Sequence, residues 1–452
     1  MTLPATPSIL TVSGNNLLSG VGQTSQLTAT TSAGAVVTSG LSWQTASVSV
    51  AVVSASGLVT ATGPGTTTIT ATTTAPAASG VVTMFVAQPG NPTATITTCQ
   101  VIQKSGPYVL SSDLSQNGFA PCLQVGSVAG VQIDCRGHMV SGLQLTTVNT
   151  VTVSNCSVTG RVNMTNVANV AVTNCTLENG VNVTTGSSVV IANSTISASL
   201  NPVFVTNGIG VELLQDTITS AFGAAAVQFA NGTADQVVLA TITGGYDGGS
   251  AEVGTDDGIL LTNETGDSIT GNIVSGFFDT ALEGVARVAN ATVANNTFSN
   301  IGTTAIGAYY CANWTGNVIR GNRVSLAPSM ALMSDQDGAF CTTPPPVFSG
   351  NQFIANQFRN PIAGLGGSLG PAPRMTVIFV PGTAAGNLLQ NNDFGMNDGP
   401  RLAPLSAFTD GGGNICGPQN PALSNFVCTG GSPAALVPSE AHVLFQGPPH
   451  SP

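Results

Sequence analysis

Charge is nearly missing from this sequence. Asp, Glu, Lys and Arg make up 6% of its 452 residues, against about 25% in ordinary domains. Nine Lys plus Arg stand against twenty Asp plus Glu, a net charge of −11. Nucleic acid needs a basic footprint and finds none, and an anionic membrane surface is excluded on the same ground. No run of 18 apolar residues occurs, so no transmembrane helix is expected. The start, Met1-Thr2-Leu3-Pro4, lacks a basic region and an apolar stretch, as in a chain that begins after a removed signal. Only three histidines are present. His138 lies near Cys135 but has no partner His, which argues against a His/Cys metal centre. Low charge can signal disorder, yet 42% apolar residues in ordered alternation point to a folded chain.

What is abundant is Gly, Thr, Val, Ala, Ser and Asn, a mixture for strands and tight turns. From Asp134 to Asn300 one phrase recurs. Ser154-Asn155-Cys156-Ser157-Val158 is followed by Thr173-Asn174-Cys175-Thr176-Leu177 and Ala192-Asn193-Ser194-Thr195-Ile196. Leu214-Gln215-Asp216-Thr217-Ile218, Gly271-Asn272-Ile273 and Asn295-Asn296-Thr297-Phe298 continue it. The interval is about 20 to 25 residues. One such unit cannot bury its own apolar face, so units must stack. Leucine-rich repeats share the period, but their Leu ladder is absent. The expected fold is all-β, with a parallel β-helix over residues 96–400. Val151-Thr152-Val153, Val170-Ala171-Val172 and Val189-Val190-Ile191 are one strand in successive turns. Asn155, Asn174 and Asn193 are expected as a corner ladder in the left-handed region.

Nine cysteines are present. Cys135, Cys156 and Cys175 hold the repeated position. Rungs about 4.8 Å apart bring such positions within disulfide reach. The expected bridges are Cys156–Cys175, Cys99–Cys122, Cys311–Cys341 and Cys416–Cys428, with Cys135 left over. Residues 96–133 read as a capping lead-in, 401–430 as an irregular C-terminal cap, and 431–452 as a weakly structured tail. Val443-Leu444-Phe445-Gln446-Gly447-Pro448 matches the site cut by a viral 3C-type protease and reads as a cloning remnant.

Ahead of the coil, residues 8–88 carry short alternating runs of sandwich type. Leu41-Ser42-Trp43, Val50 to Ser54, Gly57-Leu58-Val59-Thr60-Ala61 and Gly65 to Ala71 resemble the bacterial Ig-like group 2 domain. Trp43 is expected in its core. The resemblance implies an extracellular, secreted or cell-surface setting and no chemistry of its own. The repeats over 96–400 are similar to the right-handed parallel β-helix superfamily of pectate lyases, polygalacturonases, C5-epimerases and phage tailspikes. That resemblance implies fold and leaves function to the site.

The few acids gather in one region. Aligning inward aliphatics sets Asp257-Gly258-Ile259 beside Thr280-Ala281-Leu282 and Thr304-Ala305-Ile306. Asp256 then stacks on Asp279, and Gln228, Leu260, Glu283 and Gly307 share a column. Carboxylates one rung apart repel, so a proton or a cation such as Ca²⁺ must join them. Candidate acid, base or nucleophile residues are Asp256, Asp279 and Glu283, with Arg287 to pair a uronate. Gln228, Asp257, Tyr309 and Tyr310 are candidate sugar contacts. The Gly-His-Gly and Arg-x-Lys segments of polygalacturonases and the Asp-Pro-His of C5-epimerases are missing. The resulting expectation is a noncatalytic polysaccharide-binding surface module, adhesin or stalk, with a carboxylate hydrolase or lyase as the alternative. Oligomeric state is not legible.

Overall fold

The computed structural model describes residues 8–14, 17–18, 20–31, 36–74, 77–86, 94–116, 120–246, 254–327, 329–333, 347–359, 376–378, 383–394, 401–403, 405–416 and 426–428. Residues 87–93, 334–346 and 360–375, the Cys311–Cys341 pair and the tail lie outside them.

Residues 8–86 form two facing sheets. One orders Thr28–Thr31, Ser8–Ser13, Ala77–Val86, Gly65–Thr74 and Leu41–Thr45, and the other orders Thr24–Gln26, Leu58–Ala61 and Ala51–Val53. Leu10, Leu27, Ile69 and Met84 centre a core of their own, and Trp43 packs against it. Gly57, at φ 81°, makes room for that ring, since a Cβ there would sit 3.0 Å from it.

From Ala94–Ile96 to Phe408–Asp410, strands of the described residues join in one path of 34 in which each coil pairs in parallel with the next. This is a parallel β-helix. Pairing begins at Ala94 ↔ Tyr108 and Gln100 ↔ Leu123, so the expected lead-in is already made of rungs. It runs on to Asn387 ↔ Phe408 and the Asp393 ↔ Ile415 bridge, inside the segment expected as a cap. A single apolar cluster fills the coil from Ile96 to Phe426. Like stacks on like: Val151 on Val170 on Val189.

The corner explains the recurring phrase. Asn155, Asn174 and Asn193 take φ of 55°, 54° and 52°, a conformation Asn tolerates better than most residues. Each turns the next residue inward, into one column. That column reads Cys135, Cys156, Cys175, Ser194, Asp216, Ala240, and then Asn272, Asn296, Asn322, Asn356, Asn392 and Asn414. Each Asn Oδ1 accepts the backbone N–H of the preceding rung's member, as Asn322 does from Asn296 at 3.0 Å. Each Nδ2 before the last donates to the next Asn and to a carbonyl behind it, as Asn322 does to Asn356 at 2.9 Å and Val293 at 2.9 Å. Backbone groups that a turn would leave unpaired in a dry interior are thereby satisfied.

The cysteines stand at the head of this column, and their pairing corrects the expectation. Cys135 bonds Cys156, with Cα atoms 4.8 Å apart, and Cys175 is free and buried. Cys156–Cys175 is not the bridge. Both pairs span one coil, so spacing alone does not choose between them. Cys175 instead takes the ladder's role: its Sγ accepts the Cys156 N–H at 3.4 Å, and its own N–H donates to Ser194 Oγ at 3.1 Å. Cys99–Cys122 and Cys416–Cys428 form as expected. Three bridges among the described residues fit an oxidising, extracytoplasmic setting. Burial pushes the Cys175 thiol up to about 12. Cys175 is therefore expected to resist maleimide in the native protein and to react in guanidinium, while unreduced peptide maps recover Cys135–Cys156. A maleimide adduct on native Cys135 would overturn the assignment.

A second corner builds a second column: Val211, Asp235, Asp267, Ala291, Asn317, Asn351 and Asn387. Asp235 Oδ1 accepts the Val211 N–H at 2.8 Å, and Asp267 Oδ1 accepts the Asp235 N–H at 3.0 Å. Glu264 does the same for the Gly232 N–H at 2.8 Å. Asp235 and Asp267 occupy asparagine positions, but their second oxygens, with those of Asp216 and Glu264, are buried without a hydrogen-bond partner. Burial raises Asp235 to about 7, Asp267 to about 6 and Glu264 to about 8, and holds Asp216 well above the usual range.

Candidate functional site

The acids singled out in the sequence meet where three successive coils bend. The strands are Thr217–Ala230, Thr255–Thr265 and Thr280–Ala289, followed by Thr304–Thr315. Their register pairs Ala225 with Asp257, Ile259 with Leu282 and Leu282 with Ile306. At the bend two consecutive residues face the core: Ala226-Val227, Ala281-Leu282 and Ala305-Ile306. Gly258 fills the matching small position, where a Cβ would lie 2.5 Å from Val274 and 2.5 Å from the Ala281 carbonyl. Two inward residues leave the positions on either side outward. Asp257 precedes such a pair, and Thr280 and Glu283 flank the next.

Asp257, Asp279 and Glu283 each offer an oxygen within 4.8 Å of the others. Asp257 and Glu283 are buried and Asp279 is half-buried. Thr280 ties the first two together: its N–H donates to Asp257 Oδ1 at 3.2 Å, and its hydroxyl meets both Asp257 Oδ1 and, at 3.3 Å, Glu283 Oε2. Thr303 donates its hydroxyl to Asp279 Oδ1. Burial first, then the Glu283 charge, hold Asp257 well above the carboxylate range. Burial raises Glu283 too, while its bond with Asp257 lowers it. One proton shared by this pair relieves the repulsion between them. A divalent cation is the competing occupant; three carboxylates supply part of the six to eight oxygens that Ca²⁺ takes.

The other candidates fall at different distances from this centre. Asp256 lies one rung from Asp279, whose N–H donates to its carbonyl at 2.9 Å, as the alignment expected. The triad nevertheless contains Asp257 in its place. Gln228 shares the outward column of Leu260 and Glu283, two rungs away. Arg287 is exposed and stands beyond the corner at Ala286, whose φ is 62°. Tyr309 pairs with Val285 in the backbone, and the side chains of Tyr309 and Tyr310 lie outside the described residues. Sequence reading missed Thr280 and Thr303, whose hydroxyls hold the acids. It also missed Tyr246, which meets Phe278 edge to face at 6.1 Å and braces the turn into Asp279. No pattern marks these residues; only the coil register brings them in.

The bacterial Ig-like domain (group 2) matches residues 8–82. No curated protein sequence matches the chain. Among solved structures, PfbA, a surface adhesin of Streptococcus pneumoniae, is similar at 11% identity and a TM-score of 0.39, covering 60% of this chain and 82% of that one. DFA-IIIase from Arthrobacter chlorophenolicus A6 is similar at 12% and 0.39, covering 67% and 84%. The bacteriophage CBA120 tailspike protein 3 is similar at 12% and 0.36, covering 66% and 57%. These likenesses are of fold alone.

Proposed function

We propose that this chain is an extracellular glycan-directed protein that hydrolyses glycosidic bonds at Asp257, Asp279 and Glu283. The observation that supports this most is the convergence of three carboxylates within 4.8 Å, two of them buried against one threonine. Close carboxyls of unequal proton affinity divide acid from base. Separations near 5 Å belong to retaining glycosidases, whereas inverting enzymes leave room for a water. Asp257 gives its proton to the glycosidic oxygen as the C–O bond breaks. Asp279, half-buried and reachable, attacks the anomeric carbon and forms a glycosyl ester. Water then cleaves the ester and returns a proton to Asp257. Glu283 supplies the adjacent charge that keeps Asp257 protonated.

Asp257→Asn keeps the shape of the site and removes the acid. Its product release from a soluble polysaccharide is expected to fall by about 10²–10⁴-fold, with retention on the same glycan unchanged. Product at wild-type rate from this variant sinks the hydrolase reading. Retention by the wild type with no product, in EDTA and in Ca²⁺ alike, returns the protein to a noncatalytic adhesin or glycan-binding module.

A further inference from the structure

Beside the acid triad the surface carries an apolar step. Phe222 is 58% exposed and Leu200 is 60% exposed. Phe222 is the one exposed aromatic among residues with described side chains; Phe229, Phe277, Phe298, Phe353 and Phe358 are all fully buried. Phe222 and Leu200 pair directly across adjacent rungs, so the two side chains stand about 4.8 Å apart at their bases. Gly223, at φ 107°, lies 3.3 Å by its absent Cβ from a Leu200 methyl. A Cβ there would also sit 2.9 Å from Asn201 Oδ1, so a larger residue would crowd both side chains. Asn201 Oδ1 accepts the Ala225 N–H at 3.3 Å and pins the neighbouring backbone.

Gly223 pairs with Thr255 and Ala225 with Asp257. Phe222 is therefore one rung before the acids and two residues short of the Asp256 column. With strand and rung spacings of 3.3 and 4.8 Å, its Cα lies about 8 Å from that of Asp256. An exposed aromatic one rung from Asp256 and Asp257, across the turn at Gly223, offers a flat face to the C–H side of a sugar ring bound at the triad.

Charge then selects the glycan. Asp256, Asp279 and the one charge left on the Asp257–Glu283 pair make the surroundings negative, and the chain carries −11 overall. Arg287 stands past the corner, and the one ion pair among the described residues, His138–Asp113, belongs to another part of the coil. A polyuronate would bring a carboxylate per sugar against these acids.

We infer that the site takes an uncharged glycan, with Phe222 on Leu200 as the platform for a sugar ring beside the triad. This rests on the triad being a glycan site, and the test separates the two. The full-length chain would be run in affinity gels containing dextran, pullulan, laminarin or arabinogalactan, and in parallel with polygalacturonate and alginate. Reducing-sugar release would be read from the same polymers. Wild type, Phe222→Ala, Phe222→Trp and Asp257→Asn would be compared, with thermal melts as the folding check. The expected result is retention on at least one neutral polymer, weakened tenfold or more in Phe222→Ala and kept in Phe222→Trp, with both variants melting as wild type does. Asp257→Asn should bind and release product about a hundredfold or more slower.

Equal retention of wild type and Phe222→Ala overturns the platform while leaving the triad reading intact. Full product from Asp257→Asn alongside weakened binding by Phe222→Ala overturns the triad reading and keeps the platform. Retention on the polyuronates alone overturns the choice of a neutral glycan. No retention and no product on any polymer removes both. Altered self-association of Phe222→Ala with unchanged glycan retention makes this face a contact between copies and overturns the proposal.

Discussion

An Asp235→Asn, Asp267→Asn double variant should melt well above the natural chain at pH 8, and the gap should close as pH falls toward 4. Both acids sit in a column whose later members are Asn317, Asn351 and Asn387. There an amide nitrogen donates backward, as Asn317 does to the Val288 carbonyl at 3.1 Å. A carboxyl fills that role only as O–H. The folded chain thus holds these protons up to about pH 7 and 6, whereas an unfolded Asp releases its proton near 3.9. Between those values the folded state binds more protons than the unfolded state, so stability falls as pH rises. It is fully present below the unfolded value and lost on passing the folded ones. Asn carries no proton to lose, so the variant is spared the penalty. The expected gain above pH 7 is on the order of 5 kcal/mol for the pair. Calorimetry of the coil transition from pH 4 to 8 reads it directly; parallel curves for the two proteins would show that these acids are solvated instead.

Asn322→Ala should be among the most damaging single changes in the chain. It removes four contacts at once. Asn322 Oδ1 accepts from the Asn296 backbone at 3.0 Å and from its amide at 2.9 Å, and Asn322 Nδ2 donates to Asn356 and Val293, both at 2.9 Å. Asn322 and its neighbours in the column are buried, so the groups left behind find no water. Buried unsatisfied groups cost about 1–3 kcal/mol each, and a loss of about 3–6 kcal/mol is expected. Asn322→Asp sharpens the test, because it should fold acceptably near pH 4 and fail near pH 8. Denaturant melts within 1 kcal/mol of wild type at both pH values would mean that the ladder contributes little.

The coil was legible because its corners repeat in small residues that few other folds use so regularly. Asn155, Asn174 and Asn193 mark left-handed turns, and matching Val151, Val170 and Val189 sets the register. The same logic aligned Asp257 with Thr280 and Leu260 with Glu283 correctly. It did not show that Asp257 and Glu283 meet, because period-two reasoning puts residues three apart on opposite faces. The bend at Gly258 and Ala281 breaks that alternation. A signal was available in the small residues Ala226, Gly258, Ala281 and Ala305 beside larger ones at each rung. The cysteine pairing was not legible, since three equivalent thiols in one column permit two bridges. The ladder acids were half visible: Asp216 appeared within the repeated phrase, but nothing in a lone Asp announces that an asparagine belongs there.

The asparagine ladder also has a direction. Each member supplies the acceptor for a backbone donor on the coil made before it, so a coil is finished only by its successor. Asn272 completes Ala240, and so on to Asn414, whose amide ends on Asp410 at 2.7 Å. A chain growing from its N-terminus therefore always carries open ladder donors at its advancing end, closed when the next coil winds on. Loss of coils from the C-terminal end re-exposes such a donor wherever it stops. Loss from the N-terminal end instead leaves a ladder acceptor without its donor, and only at the first remaining rung. The two ends of the same rod are thus unequal in what they tolerate, although the strands along it look alike.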